Sequence, residues 1–536
     1  MTSVAGTEAA ASLSKDAVPP FNRVLVANRG EIALRIIRAC HELGAETVAV
    51  FSDADAQAGH VRAAGQAVRL GPAPPAESYL RGDAIVAAAL ATGAEAIHPG
   101  YGFLAERASF ARAVEDAGLV FVGPSPSSIA ALGDKLAARR LAREAGVPVV
   151  PGTLEPADVS RPDRVDEIVR QAREIGYPLL VKAAAGGGGR GMRRVAGPDD
   201  LPAALAAGSA EAVSAFGDGS VYLEREVLPA RHVEVQLIGD AEGTVVALGE
   251  RDCSLQRRHQ KLVEESPAPG LTDAERTELH EMAVRLGRSA GLVNAATAEF
   301  LFDEERRFWF LEVNTRLQVE HGVTELVADV DLVREQLLVA AGRALSPRIV
   351  DAAAASATPT RHAIEVRISA EDPARDFAPA PGRIGRWLIP AGPGFRVDTA
   401  IEAGERVPPD YDPLIAKLLV VDADREAAIG RLGRAIEEFE ITGIQTPLPF
   451  HRFVAAHPGF RAGEVSTGWV ASEWDPVMAA NRAAALAAAG EVAAAVVTGY
   501  ARAVDPVAGP DPATGARRTD GWAQAAREQA VDRRPR

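Results

Sequence analysis

Lysine is nearly missing from this chain. Of its 58 lysine and arginine residues only five are lysine (Lys15, Lys135, Lys182, Lys261 and Lys417), against 53 arginines. Arginine has taken over almost wherever a generic cation suffices. Positions that need a compact ammonium rather than a planar fork are the ones expected to resist that drift. Cysteine is as scarce: Cys40 and Cys253 are the only two, which excludes a disulfide framework and a multi-cysteine metal site. No apolar run reaches the roughly 18 residues of a membrane span. The longest, near Ala483–Val497, is mostly alanine, contains Gly490 and Glu491, and reads as a helix. Basic charge is in deficit. The net charge of −15 argues against a nucleic-acid partner, although a few placed cations suffice for an anionic substrate. The leader carries Glu8, Lys15 and Asp16 without an apolar core and is poor in arginine. It is therefore neither a secretory signal nor a transit peptide, and a disordered tail on a cytoplasmic protein is expected.

What is present is long and ordinary in texture. The 536 residues are 47% hydrophobic and 24% charged, enough for three or four domains at roughly 150 residues each. After Pro19-Pro20, the runs Arg23–Ala27, Thr47–Phe51, Ala94–Ile97 and Val120–Val122 alternate with helical patterns, which predicts a parallel α/β sheet. From about Pro151 to Glu226 the texture changes. A strand over Pro178–Lys182, the glycine loop Gly186–Gly191 and a second strand from Met192 predict a hairpin in a small, hinged domain. Beyond Val227 the period is two, at His232–Ile238, Ala298–Phe302, Phe308–Glu320 and Ala363–Ser369. The expected division is a tail over 1–20, an N-terminal domain over 21–149, a lid over 150–226, a strand-rich domain over 227–470, and a helical, linker-like end over 471–536.

Three stretches carry chemistry. In Leu311–Glu320, read as one strand, Glu312, Asn314, Arg316, Gln318 and Glu320 share a face. A solvated strand face is the plain alternative. The mixture is unusual for one, however: oxygen ligands at one end, a guanidinium in the middle and a carboxylate at the far end. With Glu299 from a second strand, Glu312 and Asn314 offer oxygen ligands to magnesium and, through it, nucleotide phosphates. Arg316 suits a small oxyanion, and Glu320 a general base. The glycine loop lets backbone amides approach phosphates. It is neither a Walker A loop nor a dinucleotide fingerprint, and Lys182 on the preceding strand strengthens a nucleotide reading. The third stretch, Glu250–Glu265, concentrates Arg251, Arg257, Arg258, His259 and Lys261, either as a basic surface loop or as an anion site. Cys253 within it reads as a packed thiol, and Arg367 in HAIEVRIS is by itself ordinary.

From Phe21 to about Val470 the chain resembles the biotin carboxylases of the ATP-grasp superfamily. The resemblance rests on VLVANRGEIALRIIRA, IHPGYGFLAE, FVGPS, GDKLAAR, the run from Lys182 to Met192, RHVEVQ, ERDCSLQRRHQK, EVNTRLQVEHGVTE, HAIEVRISAEDP and VPPDYDPLIAKL, in that order. It implies an α/β ATP-grasp fold with an N-terminal parallel domain, a mobile lid and a strand-rich C-terminal domain. It implies carboxylation of biotin with bicarbonate at the expense of ATP, with Mg2+ or Mn2+. By similarity ATP falls to Lys135, Lys182, Gly188, Gly189, Met192, Glu224, Val227, His232, His259, Glu299, Leu301 and Glu312. The metal falls to Glu299, Glu312 and Asn314. Bicarbonate falls to Lys261, Arg316, Gln318 and the Val319 backbone, and the base is Glu320. Biotin falls to Arg367 and Tyr101. The family usually has proline at Gly322 and glycine at Ala185, and both departures bear on rigidity rather than chemistry. None of Met1, Met192, Met282 and Met478 is followed by lysine, so biotin is expected on a carrier protein, or on a carrier domain if this is the front of a longer polypeptide. A carboxyltransferase is implied as the second partner, and family members often form homodimers. Two rivals are another ATP-grasp ligase, such as a carbamoyl-phosphate synthetase-like enzyme, and a non-catalytic nucleotide-binding scaffold.

Overall fold

In the computed structural model, residues 19–159, 161–184 and 192–481 are described, with residues 484 and 489. The leader to residue 18, Gly188 and Gly189, and most of the alanine-rich stretch lie outside the described residues.

Five short strands open the chain: β1 Arg23–Val26, β2 Glu46–Ser52, β3 Gln66–Gly71, β4 Ala96–His98 and β5 Val120–Phe121. They form one parallel sheet in the order β3-β2-β1-β4-β5. Helices cover both faces, so its central strands read as continuous apolar runs rather than alternations. The order reverses between β1 and β4, and the carboxyl ends of strands at such a point open a crevice. The loop after β1 holds Asn28, whose Nδ2 donates to Pro99 O and Tyr101 O, both at 2.7 Å, tying it to the loop after β4.

Three antiparallel strands follow, β6 Leu179–Ala183, β7 Arg193–Val195 and β8 Val221–Arg225, in the order β7-β6-β8. The β6–β7 pair spans the glycine loop as the hairpin reading expects. Helices Pro162–Ile175 and Leu201–Phe216 back this small sheet through Ile168, Leu179, Val181 and Leu205.

The third layer runs from β9 Ala230–Gly239 through β10 Val245–Arg257, β11 Gln260–Ser266, β12 Asn294–Asp303, β13 Phe308–Asn314 and β14 His362–Ser369. Two two-residue strands, β15 Glu371–Asp372 and β16 Ala378–Pro379, pair with each other, and β17 Trp387–Leu388 later pairs with β20 Glu440–Ile441. Strands β18 Phe395–Thr399 and β19 Leu414–Asp422 complete an eight-stranded antiparallel sheet, β13-β12-β9-β10-β11-β14-β19-β18. Its apolar face packs on helix Asp273–Ser289 through Leu279, Leu286, Phe300 and Phe310, and on helix Arg425–Glu438 through Val366, Leu418 and Leu432. The other face is lined by charge.

The reading of Leu311–Glu320 as one strand is corrected here. Strand β13 stops at Asn314, and the chain then turns into helix His321–Ala328 with Glu320 at its N-cap. The cause is Glu106, whose carboxylate accepts the Thr315 N–H at 3.0 Å and the Arg316 Nε–H at 2.8 Å. A backbone donor that the edge strand would otherwise expose is thereby satisfied, and the ladder ends. The chain divides into one compact unit up to Pro476 and a second from Val477. Among the described residues no helix is long and apolar enough to cross a membrane.

Candidate active site

A row of charge crosses four strands. Glu312 on β13 lies opposite Glu299 on β12, Glu299 opposite Glu234 on β9, and Glu234 opposite Arg251 on β10. Like charges directly opposite on a sheet repel, so three carboxylates in line demand cations. Lys135 supplies one, with Nζ 3.3 Å from Glu312. Lys261 supplies another: its ammonium reaches Glu234, Glu299 at 3.0 Å and Glu320 at 2.7 Å. Fully buried Arg251 donates to Glu234 at 2.6 Å, and His232 Nε2 lies 3.0 Å from Glu299 Oε2. Burial alone would push the Glu299 carboxyl up, but Lys261 and His232 hold it well below the usual carboxylate range. The same carboxylate overcomes the burial of His232 and raises that imidazole.

Beyond β13 the turn folds the remaining predicted side chains back onto this row. Asn314 Nδ2 donates to Glu299 at 2.8 Å, and Arg316 reaches Gln318 Oε1 at 2.9 Å and Asn314 Oδ1 at 3.2 Å. Glu320 is fully enclosed between two cations, Lys261 at one oxygen and Arg367 at 3.0 Å from the other. Burial would raise its carboxyl, yet Lys261, Arg367 and Arg251 bring it far below the ordinary value, so it is held as the carboxylate a proton acceptor must be. Arg367 also grips Glu264 at 2.6 Å. Cys253 lies 3.9 Å from Glu320, and burial raises its thiol well above the ordinary value, consistent with a packed, protonated sulfur.

The nucleotide candidates sit where the small sheet meets the large one. Lys182 on β6 pairs with Glu224 on β8, and buried Arg139 binds the other Glu224 oxygen at 2.6 Å. Burial would raise that carboxyl, but Lys182 and Arg139 lower it. Met192 precedes β7, Val227 links β8 to β9, and Leu301 faces His232 across β12 and β9. His259 and Arg258 form the two-residue turn of the β10–β11 hairpin with φ of +65° and +49°. Non-glycine residues in that conformation store strain, a frequent mark of functional turns. Tyr101 donates to Glu31 and lies within electrostatic reach of Arg367.

The basic run 250–265 does not converge as one anion site. Arg257 and Arg258 turn away to Asp376, Arg251 is sealed in the sheet against Glu234, and Lys261 is the member of the run that bridges Glu234, Glu299 and Glu320. At Gly322 an added Cβ would come 2.5 Å from Leu419 Cδ2, so Leu419 fills the space that proline would take. Sequence reasoning missed Glu106, Glu234, Glu264 and Arg139. Only strand register, which no motif prints, places Glu234 in line with Glu299.

Two models of known domains flank a third along the chain. Residues 20–129 match the biotin carboxylase N-terminal domain, and residues 365–472 match the biotin carboxylase C-terminal domain. Between them, residues 134–348 match the carbamoyl-phosphate synthase L chain ATP-binding domain. The biotin carboxylase of Halalkalibacterium halodurans is 49% identical over 451 residues, 84% of this chain and 97% of that protein. The chain belongs to the biotin carboxylase family. The enzyme is also similar to the biotin-dependent acyl-coenzyme A carboxylase alpha3 subunit of Mycobacterium leprae, 47% identical across 84% of this chain and 75% of the relative. Among solved structures, the Campylobacter jejuni biotin carboxylase superposes with a TM-score of 0.80 at 42% identity, covering 84% of this chain and 99% of that one. The biotin carboxylase domain dimer of Hydrogenobacter thermophilus 2-oxoglutarate carboxylase, in complex with MgADP, ADP and bicarbonate, gives 0.80 at 43% identity, covering 84% and 97%. The fold is that of an ATP-grasp enzyme, the activity is biotin carboxylation, and the flanking domains separate it from a carbamoyl-phosphate synthetase.

Proposed function

We propose that the cleft divides the carboxylation of biotin among its residues as follows. Lys135, Lys182, Glu224, His232 and His259, with Met192, Val227 and Leu301, hold ATP, and Gly188 and Gly189 close over its phosphates. The oxygen donors Glu299, Glu312 and Asn314 suit Mg2+ or Mn2+, which neutralises phosphate charge during transfer. Lys261, Arg316, Gln318 and the backbone of Val319 hold bicarbonate. Glu320 takes its proton, and the freed oxygen attacks the γ-phosphorus as the bond to ADP breaks. The product, carboxyphosphate, hydrolyses readily, so closure of the 150–226 lid keeps water out. Its breakdown gives carbon dioxide and phosphate. The phosphate takes the ureido proton of biotin, Arg367 steadies the enolate beside Tyr101, and the nitrogen captures carbon dioxide.

One observation carries this reading: a fully buried carboxylate, Glu320, held ionised between two cations that belong to different halves of the reaction, Lys261 and Arg367. Biotin arrives on a carrier protein or domain, and the carboxyl group leaves to an acceptor chosen by a carboxyltransferase. A homodimer is the proposed assembly, and the cytoplasm the proposed compartment. The test is bicarbonate-dependent ATP hydrolysis with and without free biotin. Glu320→Gln is expected to lose roughly 10²–10⁴-fold, the usual contribution of a general base. Retention of wild-type turnover in that variant would remove Glu320 from the role.

A further inference from the structure

The scarcity of lysine has a structural counterpart. The four described lysines are all enclosed, with side-chain exposures of 24% for Lys135, 11% for Lys182, 11% for Lys261 and 0% for Lys417. The first three belong to the cleft described above. Lys417 has no substrate of its own and meets the bicarbonate site only through the carbonyl of Val319, yet it too has escaped replacement by arginine, which marks a slot that admits a compact ammonium and not a planar fork.

Its surroundings show what the slot connects. Lys417 stands in the middle of β19, opposite Arg367 on β14 and Asp398 on β18, so the three side chains form one row on the charged face. Its Nζ donates to Val319 O at 2.7 Å, the carbonyl of the peptide that leads into Glu320. The same ammonium lies 3.4 Å from Asp398 Oδ2 and 3.5 Å from Glu31 Oε1. Glu31 comes from the other sheet system, in the first turn of helix Gly30–Glu42, and it accepts the Tyr101 hydroxyl. The Glu365 carboxyl on β14 and Glu31 Oε2 are buried without a hydrogen-bond partner. Lys417 is the cation common to Glu31, Glu365 and Asp398, with Arg396 acting on Glu31 and Asp398 and Arg367 on Glu365.

We propose that Lys417 is a positioning residue that ties the turn carrying Glu320 to the Tyr101 side of the cleft, so that one buried cation sets both the base and the place of biotin. The inference rests on the roles proposed above for Glu320 and Tyr101. An uncharged side chain would free the Val319 carbonyl and leave Glu31 and Asp398 facing each other. An arginine would meet the same three partners with a group too broad for the slot.

The experiment is steady-state kinetics of the full chain with MgATP, bicarbonate and free biotin, preceded by thermal unfolding of each variant. In Lys417→Met the KM values for bicarbonate and biotin are each expected to rise roughly tenfold, the loss of one charge-assisted hydrogen bond, while the KM for ATP stays near wild type. Lys417→Arg is expected to show the same split, because it restores the charge but not the fit. In Glu31→Gln, which loosens the Tyr101 arm alone, the shift is expected for biotin and not for bicarbonate. A folded Lys417→Met variant whose bicarbonate and biotin KM values match wild type, or whose three KM values rise together, would overturn the proposal. If Lys417→Met does not fold, an unshifted biotin KM in Glu31→Gln overturns it. Wild-type turnover that ignored bicarbonate and biotin would instead strike the underlying roles.

Discussion

Arg367 shows what one residue does in this site. Its Nε holds Glu264 at 2.6 Å and one terminal nitrogen holds Glu320 at 3.0 Å, a grip whose two directions are fixed by the rigid guanidinium fork, as the rotatable donors of an ammonium would not fix them. Burial pushes the Glu264 carboxyl up to about 7 even with Arg367 bound to it. Arg367 therefore stabilises two carboxylates of unlike basicity at once. Arg367→Lys is expected to slow biotin carboxylation ten- to hundredfold, about 1.5–3 kcal/mol for a lost charged hydrogen bond. Biotin-independent, bicarbonate-dependent ATP cleavage should fall much less. Parallel measurement of both rates checks this, and an equal loss in the two would place Arg367 in the bicarbonate half-reaction. At this scale the sequence was legible in its grouping: the side chains that LEVNTRLQVE offers as candidate ligands, anion clamp and base meet around Glu299 and Lys261. The partners were not legible, because Glu106, more than 200 positions away, sets the direction of Arg316.

At the scale of elements, a supporting helix and a strand that lines the cleft separate cleanly. Helix Asp273–Ser289 begins with a complete capping box: the Glu275 N–H donates to Thr272 Oγ1 at 3.3 Å, and the Thr272 N–H to Glu275 Oε2 at 2.8 Å. This helix packs on the apolar side of the large sheet, opposite the charge row. Thr272→Ala should therefore cost about 1 kcal/mol of stability and leave every kinetic constant alone. Urea unfolding would show a lower midpoint at unchanged slope, and a shifted KM would mean that the helix communicates with the cleft. The alternating strand read through Glu320 failed for the opposite reason. Alternation predicts a shared face but not how long the ladder continues, and a carboxylate from the N-terminal domain ends it at Asn314.

The whole molecule carries a pH dependence of its own. Four histidines are buried and held neutral: burial lowers His60 and His451 to about 4, and His98 and His321 to about 3. For a histidine whose folded value lies below the unfolded 6.5, the unfolded chain binds the extra proton. Stability then rises with pH across the window and is lost as pH falls below 6.5 toward the folded value. Each contributes up to about 1.4 kcal/mol per pH unit there. In the same window the Glu264 and Glu371 carboxyls, both pushed up to about 7 by burial, keep protons in the fold that the unfolded chain gives up, and so act in the opposite sense. The histidine part is therefore read by difference: relative to wild type, the melting temperature of His60→Leu is expected to rise progressively as pH falls from about 6.5 toward about 5. A difference from wild type that does not change with pH would mean that the His60 ring takes up its proton without penalty.

Sequence by itself determined the layers and, through its family resemblance, the reaction, and it named most of the side chains that meet in the cleft. Apolar runs buried on both faces differ from alternating ones, and chemistry needs particular functional groups at particular spacings. Tertiary structure decided the rest. Which carboxylates stand in line, Glu312, Glu299 and Glu234, follows from strand register, and which cations answer them follows from long-range packing. The work of Lys417 was decided there too. Its neighbours Glu31, Val319 and Asp398 lie far apart in the chain and meet only because burying an ammonium requires several acceptors at once.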